Sequence, residues 1–260
     1  MDGIHSRRLG QPDGQAAVLA HCFLGYSGTW ARMIDRLADP LDALALDMPG
    51  HGRSAMPVDP GDFHALVAAA ITAHVTRPSL LIGHSFGAAS MLRHALHHPD
   101  TAQGMVLIEP VFFAAAENTD LDAYVRGRQP LQDAFDAGDW PAAVRLFLSQ
   151  NVGSPDYDTL ADHARALMEA QIKLVAAGEA GLIQDSGGLL APGMMERFEA
   201  PVLLIVGSET TQIFHATVQG LQRRLPRAEI AVVDGAGHMV PISHAAQTAA
   251  VIDEWRARTR

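Results

Sequence analysis

The sequence predicts an α/β fold, with helices on both faces of a mostly parallel sheet. Hydrophobic residues make up 48% of the 260 residues and charged residues only 18%, which excludes disorder and coiled coil. Six short apolar runs each end in Gly, Pro or a polar residue, as expected of strands that are buried on both faces. Longer segments with helical spacing separate these runs, which indicates parallel strands joined by helices.

The predicted strands are 16–21, 41–47, 79–83, 104–109, 201–206 and 229–234, and the predicted helices are 63–75, 86–98, 212–225 and 243–258. In the first of these helices, the apolar residues Phe63, Leu66, Val67 and Ala70 recur at helical spacing and share one face. Right-handed crossovers bring the C-terminal ends of parallel strands to one edge of the sheet. The residues that follow each strand are therefore the place to look for a site.

Residues 111–198 interrupt the alternation. They contain helical patterns at 121–128, 140–149 and 160–176 and no convincing strand. A helical insertion close to the functional edge of the sheet predicts a lid over the site. The sequence thus divides into a core, 1–110 and 199–260, and a lid, 111–198. The alternative is a set of extra helices that cover the core without a gating role.

Charge and cysteine content limit the partners of this chain. It has 19 basic and 29 acidic residues and a net charge of −10, which disfavours nucleic acid and anionic membranes. The single cysteine, Cys22, excludes an internal disulfide framework and a cysteine-rich zinc site. No apolar segment follows Arg7 and Arg8, and no run approaches the ~18 apolar residues of a membrane span. We expect a soluble cytoplasmic protein, of an oligomeric state that the sequence leaves open.

A serine stands in a predicted tight turn between a strand and a helix. The run Gly83-His84-Ser85-Phe86-Gly87 follows a predicted strand and opens a predicted helix, which is the setting of a nucleophile elbow. Glycines on both sides permit a tight turn and a close approach of helix to strand. The hydroxyl of Ser85 then lies near a helix N-terminus, where developing negative charge is favoured. Ser85 is therefore the candidate nucleophile.

With this elbow the sequence resembles the α/β-hydrolase family, and three further segments fit the order of that family. Residues 21–25, His-Cys-Phe-Leu-Gly, resemble its His-Gly-x-x-Gly loop, with Cys22 in place of a glycine. Residues 47–54 are similar to its D-x-P-G-x-G-x-S turn, and residues 234–238, Asp-Gly-Ala-Gly-His, follow the last strand. The resemblance spans nearly the whole chain. It implies a helical lid inserted after the sixth strand, the strand that ends at Glu109.

The resemblance also implies roles for individual residues. The backbone N–H groups of Phe23 and Phe86 would form an oxyanion hole, and His238 would take the proton of Ser85. No metal or organic cofactor is implied. His94 lies with two other histidines at helical spacing, which is an alternative metal-binding pattern, but no acid or fourth ligand accompanies it and a solvated helix end is favoured.

The acid that should orient His238 departs from the common pattern. The family most often has an aspartate three residues past the glycine that ends the seventh strand, and here that position is Thr210. Two glutamates are available, Glu109 at the end of an apolar strand and Glu209 in a polar loop. A carboxylate that closes an apolar strand needs a partner, and a histidine across the sheet edge is such a partner. Glu109 is therefore preferred and Glu209 is the second candidate.

These residues predict a serine hydrolase that cleaves a carboxylic ester or related acyl compound through an acyl-enzyme on a Ser–His–Glu triad. Hydrolysis of a carbon–carbon bond, lactone opening and perhydrolysis would use the same triad. A ligand-binding member without turnover is disfavoured by the intact serine and histidine. His84, within the elbow, and Trp140 and Phe147, within the insertion, are the candidate substrate contacts for small to medium hydrophobic esters.

Overall fold

The computed structural model describes residues 3–259, so residues 1, 2 and 260 of the predicted core lie outside the described chain. Within it, one sheet of seven strands has the order β1-β3-β2-β4-β5-β6-β7. The strands are β1 (Ser6–Gly10), β2 (Gln15–Ala20), β3 (Leu41–Leu46), β4 (Ser79–His84), β5 (Ala102–Ile108), β6 (Val202–Gly207) and β7 (Ala228–Val233). Strands β2 to β7 are parallel. The predicted fold class is confirmed, and the six predicted strands are present with ends that differ by one or two residues.

Strand β1 was not predicted. It pairs with β3 in antiparallel fashion at the edge of the sheet, with Ser6 opposite Leu46. Arg7 and Arg8 are exposed, and β1 contains little apolar sequence because an edge strand is only partly covered. Nothing in its composition separates it from a polar terminal segment.

The helices of the described chain are α1 (Ala31–Ile34), α2 (Phe63–His74), α3 (Phe86–His97), α4 (Asn118–Gly127), α5 (Gln129–Ala137), α6 (Trp140–Ser149), α7 (Asp162–Ile183), α8 (Gln212–Arg224), α9 (Val240–Ser243) and α10 (Ala245–Thr259). Short 3-10 helices lie at Ser27–Trp30, Pro99–Thr101, Phe113–Ala115 and Tyr157–Thr159. None of the described helices is both long and apolar enough to cross a membrane.

The two faces of the sheet carry separate apolar cores, because successive strand residues point to opposite sides. On one face Val18 packs in a cluster with the aromatic rings of Phe63 and Phe86, from α2 and α3. On the other face Leu19 packs in a cluster with Trp255 of α10. All five side chains are nearly or fully buried, so the strands read as continuous apolar runs in the sequence.

Helices α4 to α7 form the insertion, between β5 and β6. The prediction placed it after the sixth strand. In this chain the insertion follows the fifth strand, β5, because a single strand, β1, comes before the parallel strands in the described sequence. Helix α7 packs closely on the core: a Cβ at Gly181 would lie 2.5 Å from Nδ1 of His64, and one at Gly178 would lie 2.7 Å from the ring of Phe86. The insertion therefore lies above the C-terminal edge of the sheet.

Candidate active site

Ser85 occupies a strained turn between β4 and α3. Its φ is +56°, a region that non-glycine residues adopt at a cost of about 1–3 kcal/mol. Two close approaches on either side require glycine. A Cβ at Gly83 would lie 2.4 Å from Cα of Ala88, and one at Gly87 would lie 2.2 Å from the carbonyl oxygen of Ala20. The turn is thus held by tight contacts of backbone with backbone, as the motif predicted.

His238 follows β7 and bridges two side chains. Its Nε2 lies 3.0 Å from Oγ of Ser85, and its Nδ1 lies 3.1 Å from Oε2 of Glu109. A carboxylate only accepts hydrogen bonds, so the proton of the neutral ring lies on Nδ1, and Nε2 is free to accept from the serine hydroxyl. All three side chains are buried. In chemical terms, such an arrangement can serve as a nucleophile, a base and an orienting acid.

Glu109 is fully buried, and three groups hydrogen-bond to its carboxylate. The backbone N–H of Gly207 donates to Oε1 over 2.7 Å, the hydroxyl of Thr210 donates to Oε2 over 2.8 Å, and Nδ1–H of His238 is the third donor. Thr210 stands where the family pattern would have an aspartate and here donates a hydrogen bond to Glu109 instead. Glu209 is exposed to solvent. The structure therefore brings Glu109, and not Glu209, to the histidine.

Phe86 follows Ser85 in the chain, and Phe23 lies against Phe86 and close to the serine. Their rings pack with centroids 4.1 Å apart, and both residues are buried. Within residues 3–259, the backbone N–H groups of Phe23 and Phe86 donate no hydrogen bond. Cys22 has no positive φ, so the backbone accepts a side chain at this position. Both N–H groups are thus available to an oxygen atom placed beside Ser85.

A buried histidine fixes the loop that carries Phe23. Nδ1–H of His21 donates to the carbonyl of Cys22 over 2.7 Å, and its Nε2 accepts from the N–H of Met48 over 3.0 Å. Burial lowers the pKa of His21 to about 3, so the ring stays neutral. Burial likewise raises the pKa of the Cys22 thiol to about 12. These two groups are architectural and do not ionise near neutral pH.

His84 does not contact either pocket described below, contrary to the expectation that it binds substrate. Its Nε2–H donates to the backbone carbonyl of His238 over 2.9 Å, and the two rings pack with centroids 5.2 Å apart. Burial lowers the pKa of His84 to about 3. His84 is the last residue of β4, and its side chain packs against His238. The sequence pattern does not reveal this contact.

The two aromatic residues predicted to contact substrate lie in different places. Phe147 lines both pockets beside Ser85. Trp140 lines neither, and the ammonium of Lys173 lies 4.8 Å from the centroid of its ring. Both residues belong to α6 and share a face of it, but they lie two turns, about 10 Å, apart along the helix. Both ring nitrogens of His94 are hydrogen-bonded to threonines, Thr72 and Thr101. Among the described residues, no three His, Cys, Asp or Glu side chains are placed so that they could hold a metal ion.

Two pockets meet at Ser85. Apolar side chains line most of the Arg128 pocket, with Arg128 and Glu179 among its polar residues. The Met239 pocket is lined by His238 and Met239 and also by the Phe23 loop. No motif in the sequence points to Arg128 and Glu179, because each lies within an ordinary amphipathic segment. Space thus opens on two sides of the serine.

The chain is similar to known proteins over most of its length. A model of the alpha/beta hydrolase family matches residues 17–251. The pimeloyl-[acyl-carrier protein] methyl ester esterase of Xanthomonas campestris pv. campestris is 30% identical over 256 residues, which cover 94% of this chain and 96% of that protein. The 2-(acetamidomethylene)succinate hydrolase of Mesorhizobium japonicum is 25% identical over 240 residues, covering 87% and 82%.

Solved structures share the fold. The 2-hydroxy-6-oxo-6-phenylhexa-2,4-dienoate hydrolase of Rhodococcus sp. strain RHA1 superposes with a TM-score of 0.71 at 20% sequence identity, and covers 98% of this chain and 99% of that one. The haloalkane dehalogenase DatA of Agrobacterium tumefaciens C58 superposes with a TM-score of 0.72 at 19% identity, covering 100% and 98%.

Proposed function

We propose that this chain, which belongs to the alpha/beta hydrolase family, cleaves a carboxylic ester through an acyl-enzyme formed on Ser85. As a member related to methyl ester esterases it is a hydrolase of the esterase type. The observation that carries the finer proposal is the position of the His238 ring, with one nitrogen 3.0 Å from Ser85 and the other 3.1 Å from Glu109.

The proposed reaction proceeds in two halves. His238 takes the proton of the Ser85 hydroxyl as Oγ bonds to the ester carbonyl carbon, and Glu109 stabilises the imidazolium. The carbonyl oxygen, now negative, accepts hydrogen bonds from the N–H groups of Phe23 and Phe86. The imidazolium then gives its proton to the departing alkoxide, which leaves as the alcohol. Water then attacks the acyl-enzyme as His238 takes its proton, and the imidazolium returns that proton to Oγ of Ser85 as the carboxylic acid leaves.

The pockets favour opposite halves of the ester. His238 must protonate the leaving oxygen, so the alcohol belongs on the side where this histidine lines the wall, the Met239 pocket. The acyl chain then enters the Arg128 pocket, where His238 is not part of the wall. In this proposal α4 to α7 act as a lid, since Phe147 and Arg128 of the insertion line the acyl side. Carbon–carbon hydrolysis and lactone opening would use the same groups, and substrate assays separate them from ester cleavage.

Labelling with a fluorophosphonate probe tests the proposal. The probe is expected to modify Ser85, and Ser85→Ala should lose both the label and the turnover of a p-nitrophenyl ester. Ser90→Ala, in the buried face of α3 five residues later, is the matched control and should keep both. Labelling that survives Ser85→Ala would refute the nucleophile, and a folded wild-type protein that neither labels nor hydrolyses any ester would refute the function.

A further inference from the structure

We propose that the Arg128 pocket selects acyl groups that carry a neutral carboxamide-like end, which Arg128 and Glu179 bind together. The inference rests on the proposed ester hydrolysis at Ser85. It adds the chemical class of the acyl group and the two residues that recognise it.

An ion pair forms part of the wall of this pocket. Arg128 connects α4 to α5, Glu179 lies on α7, and Nη1 of the arginine donates to Oε1 of the glutamate. The two side chains are only 10% and 22% exposed, and both line the pocket. The guanidinium also lies 5.5 Å from the ring centroid of Tyr124. Packing and pairing therefore fix the position of both charged groups.

The pair leaves hydrogen-bonding capacity unused. A guanidinium has five N–H donors and a carboxylate has two acceptor oxygens. Within residues 3–259, the bond from Nη1 to Oε1 is the one hydrogen bond that the side chains of Arg128 and Glu179 make. The remaining donors of Arg128 and Oε2 of Glu179 can therefore serve a ligand. Such a ligand must both accept and donate hydrogen bonds.

The charge of the pocket decides which polar group this is. Arg128 and Glu179 are the charged residues that line it, and their charges cancel. A terminal carboxylate would meet Glu179 and, in the adjoining groove, Asp120, while a terminal ammonium would meet Arg128. A carboxamide avoids both repulsions, since its carbonyl accepts from the guanidinium and its N–H donates to the carboxylate.

The rest of the pocket specifies the link between the two ends. Val111, Phe113 and Phe214 line the space together with Ser85 at one side. Most of the wall is apolar, and Gln150, Asn151 and Thr211 are among its other polar side chains, so the segment between the ester carbonyl and the carboxamide is expected to be mostly hydrocarbon. An apolar terminal group would leave the donors of Arg128 unpaired and is discriminated against for that reason.

Three sets of p-nitrophenyl esters test this specificity. At each of several chain lengths, the acyl group ends in an isopropyl group, a carboxamide or a carboxylate, which are close to isosteric. Rates are measured as kcat/KM and normalised to p-nitrophenyl acetate for each variant. At the best-fitting length, the wild type is expected to prefer the carboxamide to the isopropyl ester by about tenfold and to the carboxylate ester by more.

Two variants assign the preference to the pair. Glu179→Gln leaves an uncompensated cation in the pocket and should raise the relative rate of the carboxylate ester by about tenfold or more. Arg128→Met should abolish the carboxamide preference. Arg126→Gln removes an exposed arginine of α4 and serves as the matched control, with the ranking of the wild type.

The outcomes distinguish this inference from the function on which it rests. An unchanged ranking in Glu179→Gln overturns the inference, even where Arg128→Met fails to fold. Equal kcat/KM values of the wild-type enzyme for the isopropyl and carboxamide esters at every chain length would also overturn the inference. In both cases fluorophosphonate labelling at Ser85 and turnover of the acetate ester would still stand, so the proposed function would survive.

Discussion

Replacing Glu109 with glutamine tests the least conventional member of the proposed triad. The change keeps the shape of the side chain and removes its charge. The carboxylate now accepts from Gly207 N–H at Oε1 and from Thr210 and His238 at Oε2. A carboxamide has one oxygen and one NH₂ group, so one of these two positions must present a donor to a donor.

Each orientation has a cost that follows from these contacts. With the NH₂ group toward Gly207, two donors face each other in a fully buried position, an arrangement that costs about 1–3 kcal/mol. With the NH₂ group toward His238, the ring must move its proton to Nε2, which can then no longer accept the proton of Ser85. The imidazolium also loses its counter-charge in both cases. An analogous exchange in a serine protease lowers kcat about 10⁴-fold.

We expect Glu109→Gln to lower kcat at least about a hundredfold, equivalent to roughly 2.7 kcal/mol in the barrier. The assay is turnover of one p-nitrophenyl ester by variants whose circular dichroism and Tm show a retained fold. Glu209→Gln, at an exposed loop position, is the control and should change kcat less than about twofold. The reverse ranking would transfer the role to Glu209, and two fully active variants would leave a Ser–His dyad.

Two further predictions concern stability. Burial lowers the pKa of His64 to about 4 and of His84 to about 3, so between about pH 6.5 and 4 the unfolded chain binds protons that the folded chain does not. The free energy of unfolding should therefore decrease as the pH is lowered through this window, by up to about 1.4 kcal/mol per pH unit for each histidine. Urea unfolding of His64→Gln should show a slope smaller by about one proton, and an unchanged slope would contradict the assignment. Gly83→Ala should push α3 away from β4, because the new Cβ would lie 2.4 Å from Cα of Ala88, and lower Tm by several degrees together with kcat. Gly127→Ala, where no atom lies within 4 Å, is the matched control, and equal Tm values for the two variants would refute the argument.

Much of the fold follows from the sequence, because the signals are local. Parallel strands buried on both faces are uninterrupted apolar runs, and the helices between them have apolar residues at helical spacing. The elbow is equally local, since Gly83 and Gly87 stand within two residues of Ser85. Strand β1 escaped prediction for the opposite reason. Its identity depends on pairing with β3, across more than 30 residues.

The sequence by itself determined that a serine stands at the end of a buried strand and that a histidine follows the last strand. It narrowed the acid to two glutamates. Only the tertiary structure shows which of them contacts His238, because Glu109 and His238 meet across 129 positions of sequence. The same holds for the pockets: Phe147 and Trp140 share one helix, and only the packing of the insertion places one beside Ser85 and the other beside Lys173. Spacing along a chain fixes which residues share a face, whereas the neighbour of that face is set by how distant elements pack.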